Sequence, residues 1–336
     1  MSQDMLRTPF GHPLIRSVFR LSCTCAVWFC TAVLFFPELS GAAPLAAETQ
    51  RGGVQLTTGY SYRQDDFDWN IAGTPEGTDP NVFSELSWSD LQVHQFGLGI
   101  RIGGKQGVLL KGAFDYGWIV DGDNQDSDYL DDDRRNEFSR SNNQSDDGNT
   151  LDFSAGIGYG IALGRSVISL APLIGYSYHR QELTMTDGNQ TIPDLGAFSG
   201  LNSSYDASWK GPWVGLEFDV DLKKAVRWLP AVVLGLGVEH HWAEYDATAD
   251  WNLRPDFMHP KSFQQKADGQ GDRLFIGLRY RIGSRTDLGL IYEQQQWRAE
   301  NGVDCLFLSN GQTVETRLNE VNWNSQAVHL QLSVNF

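Results

Sequence analysis

The chain has 336 residues, is 41% hydrophobic and 12% aromatic, and carries a formal net charge of −16 at pH 7. Such acidity argues against nucleic acid as a partner, because a phosphate-binding surface is basic. Mean hydropathy is negative, and beyond the N-terminus no apolar run is long, so any membrane crossing has to be made by strands.

At the N-terminus, Arg16 and Arg20 precede an apolar run over 21–36, which is followed by Pro37 and the small residues Ser40-Gly41-Ala42-Ala43. This is the pattern of a secretory signal peptide, cleaved after Ala43 or Ala47; the run is shorter than the roughly 20 residues of a spanning helix. The expected division is therefore 1–47 signal peptide and 48–336 a single domain. Cys23, Cys25 and Cys30 fall within the signal, leaving Cys305 alone and no intramolecular disulfide. A lipidated cysteine would sit just after the apolar run, so these three read as ordinary apolar filling. Losing 1–47 removes three basic and two acidic side chains, moving the charge from −16 to −17.

Downstream, a two-residue period recurs. Strands are expected near 54–63, 84–102, 108–118, 151–161, 167–180, 205–222, 231–246, 273–283, 287–298 and 322–336. In the third, Val108, Leu110, Phe114, Tyr116 and Trp118 alternate with Lys111, Ala113, Asp115 and Gly117; the fourth has an equally apolar face. The last strand places Val328, Leu330, Leu332, Val334 and Phe336 on one side and ends the chain on an aromatic. Strands with one lipid-like face and one polar face build a wall between lipid and an aqueous or polar interior. Ten such strands predict an all-β fold, an antiparallel transmembrane β-barrel of the bacterial outer membrane.

The connections alternate in length. Those at 103–106, 163–165, 223–230 and 283–286 are short, whereas 64–83, 119–150, 181–204, 247–272 and 299–321 are long. Short turns belong to the periplasmic side and long loops to the exterior. Tyr60, Tyr62, Trp88, Trp118, Tyr176, Tyr178, Trp242 and Trp297 near strand ends are expected to form interfacial girdles. Ten strands give a narrow lumen, since open porins have about 16 or more. Arg101, Lys111, Asp115, Asp152, Glu217, Asp219, Arg273, Arg279 and Arg281 are expected to line it and to brace it with opposite charges.

The segment 120–149 holds Asp121, Asp123, Asp126, Asp128, Asp131, Asp132, Asp133, Asp146 and Asp147. Such a run is either solvated or holds a divalent cation loosely. Within it, Gly122-Asp123-Asn124-Gln125-Asp126-Ser127-Asp128-Tyr129 resembles the omptin motif of glycine, Asp-x-Asp and an aromatic. Ser84-Glu85-Leu86-Ser87-Trp88 and Gly211-Pro212-Trp213-Val214-Gly215-Leu216 resemble omptin strand segments in the same order. The chain looks closer still to a divergent omptin-like group, the Protochlamydia-type outer-membrane proteins, in 124–129, Glu137-Phe138-Ser139-Arg140-Ser141 and Leu183-Thr184-Met185-Thr186-Asp187-Gly188. That resemblance implies a porin-type role, with outer-membrane lipid and lipopolysaccharide as surroundings and a peptide or small solute as ligand.

The omptin resemblance implies a protease site in which one Asp pair faces an Asp-x-His pair and activates a water. Asp126 and Asp128 match the first pair and Asp250 the second aspartate, but Asn252 stands where histidine is required. An amide neither takes nor releases a proton near neutral pH, so the usual base is missing. His241 and His259 are the candidate substitutes. No serine or cysteine nucleophile motif, phosphate loop, dinucleotide fingerprint or zinc spacing is present, and no cofactor is called for. The leading expectation is a noncatalytic, porin-like or ligand-binding barrel with an acidic outer cleft. An endopeptidase with a replaced base and a surface adhesin are the alternatives.

Overall fold

The computed structural model describes residues 53–164 and 166–336, and the expected signal peptide lies outside them. Twelve strands follow in order: β1 (Gly53–Ile71), β2 (Ser84–Gly103), β3 (Gly107–Asp131), β4 (Arg135–Gln144), β5 (Gly148–Leu163), β6 (Ile168–Ile192), β7 (Gly196–Ala197), β8 (Ser203–Asp221), β9 (Val232–Asp250), β10 (Phe263–Ile282), β11 (Thr286–Phe307) and β12 (Thr313–Asn335). A four-residue helix, α1 (Leu222–Ala225), sits in the turn after β8. All pairings are antiparallel, and β1 pairs with both β2 and β12, so the sheet closes on itself.

All ten expected strands are present; β4 and β7 are additional. β4 and β5 both pair with β3 and both pair with β6, so they behave as one strand interrupted at 145–147. The amide of Ser145 bridges the break by donating to the carbonyl of Gly122 at 2.8 Å. β7 adds two residues to the outer end of β6. The barrel is thus ten strands around.

The segments expected to be long loops are largely continued strand. β1 runs on to Ile71, β3 to Asp131, β6 to Ile192, β9 to Asp250 and β11 to Phe307. The cause is visible in β1. Gln55, Thr57, Ser61, Arg63 and Asp65 face inward, followed with unchanged parity by the buried Phe67 and Trp69. Leu56, Tyr60 and Tyr62 face outward and give way to Gln64, Asp66 and Asp68. β12 repeats the inversion: Val321 and Trp323 point in above Ser325 and Ser333, while Val328, Leu330 and Leu332 point out below Asn322, Asn324 and Gln326. Where the outer surface meets water, the apolar face turns inward and the strand continues as a soluble β-structure does.

The interior therefore has two zones. In the lower zone, wrapped by the apolar belt, most of the expected charges brace one another, Asp115 being the exception among the described residues. Arg101 binds Glu217 at 2.6 Å, Lys111 bridges Glu217 and Glu239 at 2.9 Å each, and Arg273 spans Glu239 at 3.2 Å and Glu293 at 2.6 Å. Arg279 holds Asp219 at 2.6 Å, and Arg63 ties Asp152 at 2.8 Å beside Asp65. Each pair satisfies charges that the interior would otherwise leave unpaired. Trp213 seals part of this zone, and Gly156 makes room for it: a Cβ there would lie 2.7 Å from the indole.

In the upper zone the core is aromatic. Phe67, Trp69, Trp88, Tyr205, Trp209, Tyr245, Trp297 and Trp323 are all buried in one cluster. Trp297 stacks on Trp323 at 5.6 Å, and Trp69 stacks on Tyr205 at 5.9 Å. Trp88 and Trp297 are accordingly core residues and not girdle residues. Tyr60, Tyr62, Trp118, Tyr176 and Trp242 do face outward.

Candidate ligand-binding cleft

Above the aromatic core, the strand extensions enclose a cavity of about 630 Å³. Its walls are Trp69, Ile71 and Leu86 from β1 and β2, Phe83 before β2, and Phe263 and Leu306 from β10 and β11. The connection 251–262 contributes Trp251, Arg254, Asp256 and Phe257. That connection is held in shape: the Phe257 amide donates to the Arg254 carbonyl at 2.9 Å, and the Met258 amide donates to the Phe307 carbonyl at 2.8 Å. Trp251 meets Phe263 edge-on at 4.7 Å, and Phe263 meets Trp69 at 5.7 Å, so three rings form a continuous apolar wall.

Asp126 and Asp128, on the outer part of β3, both line this cavity. The other aspartates of 120–149 are exposed, as solvated surface. Burial, reinforced by Asp128, pushes the Asp126 carboxyl well above the usual range, against the pull of Arg254 and Trp251. Burial also raises Asp128, opposed by hydrogen bonds from Ser84 and Ser139 and by Arg254. Asp304 on β11 lines the cavity too, and burial pushes it up to about 6 against the weaker pull of Gln265 and Thr316.

The remaining residues of the expected protease site stand elsewhere. Asp250 and Asn252 are not among the cavity-lining residues. Asn252 accepts from the Asn202 amide at 2.9 Å and from Ser203 at 3.1 Å, and it donates to the Gly200 carbonyl at 2.7 Å, tying two connections together. Asp250 accepts from His259 Nδ1 at 2.5 Å, while His259 Nε2 donates to the Arg254 carbonyl at 3.2 Å. His241 is buried deep in the barrel, bonded to Ser177 at 3.0 Å and 3.5 Å from Glu239. The structure thus brings Asp126 and Asp128 together and gives Asp250 a histidine, but it places neither candidate histidine on the cavity wall. Among the described residues, no group of three or more His, Cys, Asp or Glu side chains is placed to hold a metal ion.

Arg254, Trp251, Phe263, Trp69 and Asp304 are not legible as site residues from motifs. The available signal is the apolar alternation Phe67, Trp69 and Ile71, which falls where a polar loop is expected.

A second cavity, of about 600 Å³, opens at the short-turn end among Arg101, Lys105, Asp221, Lys224 and Arg281. Between the two mouths lie the ion-paired and aromatic layers.

A closed antiparallel barrel with a lipid-facing apolar belt, short turns at one end and strand extensions at the other is an outer-membrane β-barrel, and its place is the bacterial outer membrane. Residues 55–336 match the family model of Protochlamydia outer membrane protein (Pom), and the chain belongs to that family. Among solved structures, the outer membrane protease OmpT of Escherichia coli is similar at TM-score 0.68 and 14% identity, covering 86% of this chain and 99% of that one. The translocator domain of the autotransporter NalP from Neisseria meningitidis is similar at TM-score 0.37 and 10% identity, covering 95% and 98%. The transport unit of the autotransporter AIDA-I from Escherichia coli gives 0.36 and 9%, covering 94% and 98%. No curated protein matches. At 14% identity, the OmpT likeness concerns the fold alone.

Proposed function

We propose that this protein is a noncatalytic outer-membrane barrel that binds a ligand in its outer cleft and does not act as an open pore. The observation that carries this reading is the 630 Å³ cavity, walled by Trp69, Trp251 and Phe263 and closed below by fully packed tryptophans. A largely apolar cavity with a few convergent polar groups is the usual form of a small-molecule site. The packed layers beneath it stand against a continuous channel, and the narrow ten-stranded circumference agrees.

The test is binding of the neutral apolar dye N-phenyl-1-naphthylamine to the folded barrel in detergent. Saturable fluorescence enhancement that weakens in Trp251→Ala and in Phe257→Ser is the expected outcome. Unsaturable binding, equal in both variants, overturns the reading.

A second reading, an endopeptidase, is favoured by the Asp126–Asp128 pair and the Asp250–His259 contact. Against it, the histidine and its aspartate lie off the cavity wall, and a missing base removes on the order of 10²- to 10⁴-fold in rate. Cleavage of a fluorogenic peptide library that is lost in the Asp126→Ala, Asp128→Ala double variant would establish the protease instead.

A further inference from the structure

Asp304 is 4% exposed and lines the outer cavity. Its Oδ2 accepts one long hydrogen bond, from Thr316 at 3.4 Å, and its Oδ1 makes none. The nearby Gln265 amide is neutral and supplies no counter-charge. Asp126 and Asp128 both feel the positive charge of Arg254, and Asp79 accepts from the Thr78 hydroxyl at 2.9 Å. The one basic residue on the cavity wall, Arg254, is not among the groups acting on Asp304: it forks onto Asp256 at 3.0 and 3.1 Å and lies 4.1 Å from the centre of the Phe257 ring. Five aspartates therefore line a space walled by aromatic rings, and one of them, the nearly enclosed Asp304, lacks a counter-charge. A buried carboxylate is retained at low cost only when something pairs with it. Aromatic faces and a carboxylate together suit a cation with apolar substituents, since ring faces attract positive charge and the carboxylate accepts its hydrogen bonds.

Resting on the ligand-binding reading, we infer that the cavity takes a small organic ammonium ion, its apolar body against Trp69, Trp251 and Phe263 and its charged nitrogen on Asp304. The position of Phe263 supports this placement: it pairs across the ladder with Leu306, two residues from Asp304, so the aromatic wall and the carboxyl are neighbours. The elevated proton affinity of Asp304 agrees with a missing cation, and an arriving ammonium would favour the ionised form.

Calorimetry on the full folded barrel, with 2-phenylethylammonium chloride and its neutral isostere 2-phenylethanol, tests the inference. The ammonium is expected to bind about tenfold or more tighter than the alcohol, because a charge-assisted contact replaces a neutral one. Asp304→Asn should erase that difference by weakening the ammonium. At about pH 6, ammonium binding should release protons, seen as a dependence of the heat on the buffer's ionisation enthalpy. Asp304→Glu keeps the charge and should keep the preference; if Asp304→Asn does not fold, the wild-type comparison and the proton release decide alone. An alcohol that binds as tightly as the ammonium overturns the ligand class while leaving the cleft as a binding site. Failure of both to bind, with the dye also unbound, overturns the cleft itself.

Discussion

The lower and upper halves of the barrel use the same strands with opposite patterning. On β11, Leu288, Leu290 and Tyr292 face out while Glu293 faces in; a few residues on, Gln296 and Arg298 face out while Trp297 and Ala299 face in. Neither half is more typical of the chain than the other. What changes is the medium outside: lipid tails accept apolar groups and leave the interior to be satisfied by ion pairs, whereas water accepts polar groups and drives apolar ones inward. A single strand can therefore be a membrane strand below and a soluble strand above, with no loop between.

The contrast can be broken from either side. The largest effect is expected from Arg273→Leu, which leaves Glu239 and Glu293 facing each other without their shared cation. Losing one member of a buried network costs about 3–5 kcal/mol, measured by urea unfolding in lipid vesicles. Close behind, Leu86→Ala in the upper core should cost about 2–5 kcal/mol by the same measurement, as cavity-forming changes do. A matched pair sharpens the boundary: Leu290→Arg in the belt should cost roughly 2–4 kcal/mol, whereas Gln296→Arg, also outward but above it, should be nearly neutral. Equal penalties would place the lipid edge higher than the residue pattern does.

Protonation gives a smaller, signed effect. Asp68 and Asp304, both in the upper zone, are raised to about 6 by burial. With folded values above unfolded ones, the folded state holds more protons between about pH 4 and 6. Stability is therefore greatest at the acidic end and falls as pH rises through that window, each group contributing a slope of at most roughly 1.4 kcal/mol per pH unit. Asp304→Asn should flatten its share of the slope. The smallest effect concerns His259, raised by its hydrogen bond to Asp250. Both ring nitrogens face acceptors, which only the imidazolium can satisfy together. Its support for the connection 251–262 is thus fully present below about pH 6.5 and is lost as pH rises through the folded value. Faster proteolysis of that connection at about pH 8 than at about pH 5.5, with the difference gone in His259→Asn, is the expected result.

The barrel is legible in the sequence because a lipid-facing strand repeats every two residues, and the charges opposite Val108, Leu110 and Phe114 mark the lumen network. The upper zone is not, because polar residues such as Gln64, Asp66 and Asp68 look like loop when the inward Phe67 and Trp69 are not read as their partners. The same ambiguity puts Trp88 and Trp297 in the girdle: an aromatic near a strand end can face either medium, and only parity with its neighbours decides. Of the site, Asp126 and Asp128 are found by motif. Asp304 and Trp251 come from strands and connections far along the chain, brought to one cavity by barrel closure, which no local pattern records.

The proposed function rests on an interior that is ion-paired below and aromatic above and is not an open channel. Single-molecule conductance in planar bilayers, after insertion is verified by protease protection, tests that closure most directly. A flat current in molar salt at both voltage polarities is predicted, and steady channel openings that scale with salt concentration would contradict it.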